Sequence, residues 1–155
     1  MPDSNESLVV NADEKKIKLK EERKEGEPTA AYKGASWAAF TVGVSAYLIG
    51  LFNAQMELNE KGYYFAVLVF GLYAAVSLQK AVRDKEEGIA VTALYYGISW
   101  LALIIAISLM AIGLYNAGSI ILSEKGFYAM AFVLSIFSAI TIQKNIRDTQ
   151  NAREK

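Results

Sequence analysis

Few residues in this chain could do chemistry. It contains no His and no Cys. That removes the usual acid–base group near neutral pH and the commonest metal ligand, together with any thiolate nucleophile or disulfide. Tyr47, Tyr73, Ser45, Ser108, Ser135 and Ser138 place hydroxyls inside long apolar runs. A hydroxyl nucleophile needs a positioned base beside it, and those runs hold no Asp or Glu. An enzyme is therefore the least expected class, and the residue set implies no cofactor and no metal. Ion-coupled transport is disfavoured on the same ground, since it keeps an ionisable residue at mid-membrane despite a cost of several kcal/mol.

Two polar rims remain. One collects Gln79, Lys80, Arg83 and Asp84 with Gln143, Lys144, Arg147 and Asp148. On a helix, Lys80 and Asp84 are neighbours one turn apart, as are Gln79 and Arg83. Together the two groups could form a twofold cationic site for an anionic lipid headgroup, a phosphate ligand or a protein partner. The simpler alternative is helix-end charge that sets topology and snorkels to the interface. The other rim holds Asn53, Asn116, Glu60, Lys61, Glu124 and Lys125. There the simpler account is helix capping.

The elements that must carry these rims are four apolar runs, Ala35–Phe52, Tyr63–Leu78, Ile89–Tyr115 and Gly126–Ile142. All 16 basic and 16 acidic residues lie outside them. A soluble helix of such length would carry a polar face, whereas about 20 apolar residues suffice to cross the hydrocarbon. The expected fold is all-α: a polytopic membrane protein of four transmembrane helices. The bilayer is its first partner. A net charge of zero gives no bulk attraction to nucleic acid. The first 28 residues are highly charged and lack a cleavable signal pattern, so the first apolar run reads as a retained span.

The chain repeats itself. Thr29-Ala30-x-Tyr32-x-Gly34-x-Ser36-Trp37 recurs as Thr92-Ala93-x-Tyr95-x-Gly97-x-Ser99-Trp100. Ile49-Gly50-Leu51-Phe52-Asn53-Ala54 recurs as Ile112-Gly113-Leu114-Tyr115-Asn116-Ala117. Across 29–54 and 92–117, 13 of 26 positions are identical. After one inserted residue, Glu60-Lys61-Gly62-Tyr63-Tyr64 matches Glu124-Lys125-Gly126-Phe127-Tyr128. Gln79-Lys80-x-Val82-Arg83-Asp84 matches Gln143-Lys144-x-Ile146-Arg147-Asp148. The expected divisions are a charged tail 1–28, disordered or loosely helical; a two-helix repeat 29–84; a cytoplasmic linker 85–91; a second repeat 92–148; and a tail 149–155. Each repeat crosses twice, so the two hairpins enter in the same orientation as parallel tandem copies.

Basic residues set the orientation. The two tails and the middle loop carry fourteen, and the hairpin tips only Lys61 and Lys125. Both termini are therefore expected in the cytoplasm, which makes the glutamine-bearing rim the inner one. Pro28 suits a first helical turn. Asn59 and Ser123 suit N-caps. Trp37 and Trp100 are expected at the inner interface, and Tyr63, Tyr64, Phe127 and Tyr128 at the outer one. Gly71 and Ala75, the matching stripe Ala131, Ser135 and Ala139, and Gly50 and Gly113 are candidate packing positions, because small side chains let helices approach closely in lipid.

With these motifs on both copies, the chain resembles the bacterial inner-membrane YiaA/YiaB two-helix-domain family, over about residues 29–148. The resemblance implies a bacterial cytoplasmic-membrane location and implies no activity. The expected function is a non-enzymatic membrane component that packs against lipid, including anionic lipid, against membrane-protein partners, or against copies of itself. The alternative is an uncoupled small-solute channel or facilitator with its path between the hairpins.

Overall fold

The computed structural model describes residues 4–24 and 26–154, and these form five helices and no strand. They are α1 (Ser4–Lys24), α2 (Ala30–Asn53), α3 (Leu58–Glu86), α4 (Ala93–Asn116) and α5 (Leu122–Glu154). Helices α2 to α5 are each long and apolar enough to cross a membrane. The chain is thus all-helical and polytopic, with four candidate spans.

The repeated motifs explain where helices begin. Thr29 and Thr92 are the N-caps of α2 and α4, and their Oγ1 atoms accept from the Tyr32 and Tyr95 amides at 3.2 Å. Pro28 therefore lies before the cap, outside the first turn. The expected caps Asn59 and Ser123 sit one residue inside. Glu57 caps α3, and the Glu60 carboxylate accepts from the Glu57 amide at 3.1 Å. The same reach recurs from Glu124 to the Ile121 amide at 2.9 Å. A glutamate three residues in can satisfy an amide that a shorter side chain at Asn59 or Ser123 cannot.

Helix extends into both terminal segments. The tail, read as disordered or loosely helical, forms α1. Its Glu, Lys and Ala content favours helix, and Asp13 pairs with Lys16 at 3.9 Å. Its apolar residues Leu8, Val9, Val10 and Ile17 are exposed. Helix α5 runs through the segment read as a C-terminal tail, and Ala152 is buried.

The main packing joins one repeat to the other. Helix α2 lies chiefly against α5, α3 against α4, and α3 against α5, whereas α2–α3 and α4–α5 touch little. Each repeat thus finds its core in its copy. Gly50 sits beneath the Phe127 ring, where an added Cβ would come within 2.8 Å of Cε1, and Gly113 sits beneath Tyr63, where it would come within 2.6 Å. These contacts exchange when the repeats are exchanged, so the bundle has an approximate twofold relation. Between the repeats Tyr64 and Tyr128, equivalent residues, stack with centroids 6.2 Å apart.

The stacked pair corrects another expectation. Tyr64 and Tyr128, read as outer-interface anchors, are each 3% exposed and belong to the core. Trp37 and Trp100 do face outward. Among the candidate packing residues, Gly71 lies against Phe132 and Ile136, while Ala75, Ala131, Ser135 and Ala139 are buried. The close fit at Gly43, whose added Cβ would meet Ser135 Oγ at 2.9 Å, was not singled out from sequence.

Candidate functional site: the glutamine-bearing polar rim

The last turns of the membrane-crossing parts of α3 and α5 meet side by side, and there the repeated Gln-Lys-x-x-Arg-Asp motifs face each other. Helical spacing brings Lys80 onto Asp84 and Lys144 onto Asp148, the latter at 2.7 Å. The arginines reach across. Arg83 Nη2 donates to Asp148 at 2.8 Å, and Arg147 Nη2 lies 3.1 Å from Asp84. Each aspartate therefore holds a lysine of its own helix and an arginine of the other repeat. The structure brings all four bases and both aspartates into one crossed network.

Glu87, just beyond α3, makes the network unequal. It accepts from Arg147 Nε at 3.2 Å and pairs with Arg147 Nη2 as well, while Arg83 Nε is 3.9 Å away. Its carboxyl is held below the ordinary carboxylate range, first by the Arg147 hydrogen bond and then by the charges of Arg147 and Arg83. The equivalent position in the second repeat is Asn151. Glu87 escaped the sequence reading because it falls outside the duplicated motif. Its signal was a carboxylate four residues after Arg83.

Gln79 and Gln143 behave differently from the rest of the motif. Neither takes part in the ion-pair network. Both border a cavity of about 310 Å³, together with Val76, Lys80, Arg83, Ile146, Arg147 and Gln150. The rim thus combines a satisfied ionic lock with a donor-rich hollow beside it.

The rim at the other end of the bundle is occupied by helix ends. Asn53 and Asn116 donate to the Ile49 and Ile112 carbonyls at 2.7 and 3.0 Å. Lys61 donates to the Phe52 carbonyl at 2.9 Å, and Lys125 to that of Tyr115 at 3.4 Å. Orphan carbonyls at a helix C-terminus take such donors. Within the bundle, the Ser135 and Ser138 hydroxyls turn back to carbonyls of their own helix, and Tyr47 donates to the Tyr64 carbonyl at 2.8 Å. Among the described residues there is no group of His, Cys, Asp and Glu placed to hold a metal.

A family model matches this chain in the same duplicated pattern. The model of the yiaA/B two helix domain matches it twice, over residues 32–84 and 95–148. The inner membrane protein YiaA of Escherichia coli is 56% identical over 118 residues, covering 76% of this chain and 81% of that protein. The uncharacterized membrane protein YubF of Bacillus subtilis is 43% identical over 60 residues, 38% of this chain and 69% of that protein. No solved structure matches. Two consecutive matches to one domain, over most of the apolar chain, place this protein in the yiaA/B two helix domain family.

Proposed function

We propose that this protein is a non-enzymatic component of the bacterial inner membrane that acts through its packed surface, on lipid, on membrane-protein partners or on further copies of itself. The observation that carries this reading is the distribution of polarity. The ionisable residues of the repeats sit at helix ends, where they cap helices or lock one repeat to the other. The flanks of the bundle present Val42, Ile49, Phe65, Ile104, Val133 and Phe137 outward. Such a surface suits lipid and other helices and offers no reacting group. The basic residues of the tails and middle loop support cytoplasmic termini.

A facilitator would need a hydrated route between the hairpins. The Tyr64–Tyr128 stack and the Phe132 ring against Gly71 occupy the seam between α3 and α5, which favours packing over passage. The test is native mass spectrometry after gentle extraction. An oligomer, a partner or retained lipid is expected. A bare monomer that also conducts a solute selectively in liposomes would overturn the proposal. A reporter fused to the C-terminus is expected to report the cytoplasm.

A further inference from the structure

The duplicated motif at the glutamine-bearing rim has one member that the ionic lock does not use. Lys80, Arg83 and Asp84 satisfy Lys144, Arg147 and Asp148 and one another. Gln79 and Gln143 occupy the same place in both copies, yet neither side chain has a hydrogen-bond partner among the described residues. Both instead line the 310 Å³ cavity. Gln79, half-buried on α3, and Gln143, exposed on α5, are thus both free to donate into that hollow.

The walls specify its chemistry. The polar lining is Gln79, Gln143, Gln150, Lys80, Arg83 and Arg147, without a carboxylate. Asp148 holds Arg83, and Asp84 and Glu87 hold Arg147, from outside the hollow. A guanidinium carries five N–H donors, so each arginine has donors beyond these bridges. Amide, ammonium and guanidinium donors together fit an acceptor-only anion, and guanidinium favours phosphate. Val76 and Ile146 add apolar wall to the same hollow. Gln79 follows Leu78 and Gln143 follows Ile142, at the ends of the apolar runs. That is the level at which a membrane's headgroup region begins.

We propose that this cavity binds the phosphate of an anionic phospholipid, with Gln79 and Gln143 donating from two sides and Arg83, Arg147 and Lys80 supplying the charge. The inference rests on the membrane-packing reading above and names the lipid contact within it. The full-length protein in mild detergent is to be offered phosphatidylglycerol, phosphatidylethanolamine or inorganic phosphate and weighed by native mass spectrometry. Preferential retention of phosphatidylglycerol is expected. The double variant Gln79→Leu/Gln143→Leu should lower it about a hundredfold, the loss of two charge-assisted hydrogen bonds. Its Tm without lipid should be unchanged, because these side chains make no internal bond. Gln79→Glu, of the same shape but negative, should give a comparable loss from one position. Gln55→Leu, at the other end of the bundle, should change nothing. Equal retention by wild type, double variant and Gln79→Glu would overturn the site while leaving lipid contact elsewhere intact. Glutamine-dependent binding of inorganic phosphate without phosphatidylglycerol would overturn the lipid source. A wild type that keeps an oligomer or partner but no lipid would remove this site and spare the broader function. One with no oligomer, partner or lipid would remove the site and count against that function too.

Discussion

The α2–α5 and α3–α4 interfaces occupy equivalent places in the duplication, yet they are built from different chemistry. In both, a glycine lies beneath an aromatic ring of the other repeat: Gly50 under Phe127, and Gly113 under Tyr63. Around that shared contact the details part. Tyr63 has a hydroxyl that bonds the Leu109 carbonyl at 2.7 Å, and Phe127 has none. Tyr47 is wholly buried between α2 and its neighbours. Its counterpart Met110 lines an apolar groove of about 340 Å³ between α4 and α5. Toward the glutamine-bearing end, Asn145 donates to Ser36 at 3.0 Å and Lys33 to Thr149 at 3.4 Å. At the equivalent places, Ala81 replaces Asn145 and Lys85 lies over the Tyr96 ring. The duplication kept the close approach, which depends on shape. It let the polar contacts drift, because many pairs can satisfy them.

The largest expected effect follows from what the two interfaces share. Both join one repeat to the other, so neither repeat should stand alone. If the chain is divided at Gly88 and each half is expressed separately in membranes, neither half should accumulate as a stable species. Co-expressed halves should co-purify as a pair. A half that is stable and monomeric alone would break the comparison at its root.

The glycine pairs come next. Gly113→Ala and Gly50→Ala should each destabilise, by about 1–3 kcal/mol as overpacking does. Gly113→Ala should cost more, because the Tyr63 hydroxyl tethers its ring while Phe127 can shift. Steric-trap or denaturant unfolding in detergent would measure this. Combining Gly113→Ala with Tyr63→Phe should bring the two sites closer together.

A smaller difference lies in the ionic lock, where Glu87 has Asn151 as its counterpart. The folded Glu87 carboxyl titrates below its ordinary value of about 4.5. Its contribution to stability is therefore complete above that pH, and it fades as the pH falls through the folded value. Tm measured from about pH 6 down to pH 3 should drop less steeply in Glu87→Gln than in wild type. Parallel curves would remove Glu87 from the network's energetics.

The smallest effect is expected at Asn145, which is 3% exposed and whose Oδ1 has no partner in the described structure. Asn145→Ala copies the residue at position 81. It loses one hydrogen bond, worth about 0.6 kcal/mol inside a membrane protein, and relieves one unpaired buried oxygen. The change in unfolding free energy should stay within roughly 0.5 kcal/mol. A large loss would mark Asn145 as structural cement for the α2–α5 seam.

Much of this was legible in the residues. Four runs without charge mean helices in lipid, because an unpaired backbone polar group cannot be left in hydrocarbon. The repeat located the rims and the helix ends, since matched polar blocks at both ends of each hairpin survive only where geometry needs them. Tyr64 and Tyr128 were misread because aromatic residues near a span's end can anchor an interface or fill a core. Composition does not say which way the ring points. The helical reach of Glu60 and Glu124 displaced Asn59 and Ser123 as the first-turn devices, a choice that depends on side-chain length and local geometry together.

Order along the chain was enough to specify class, number of spans and internal duplication, because these follow from local hydrophobicity and identity at a constant offset. Which helix lies against which was beyond its reach. Neighbours in sequence, α2 and α3 or α4 and α5, touch little, and each takes its main partner from the other copy. Surface shape made that choice: glycines admit rings, small stripes admit helices, and arginines of the glutamine-bearing rim reach the aspartates across the seam. Complementarity of that kind exists between surfaces in space: the sequence marked Gly50, Gly113 and the small stripes as packing positions, and only the structure named their partners.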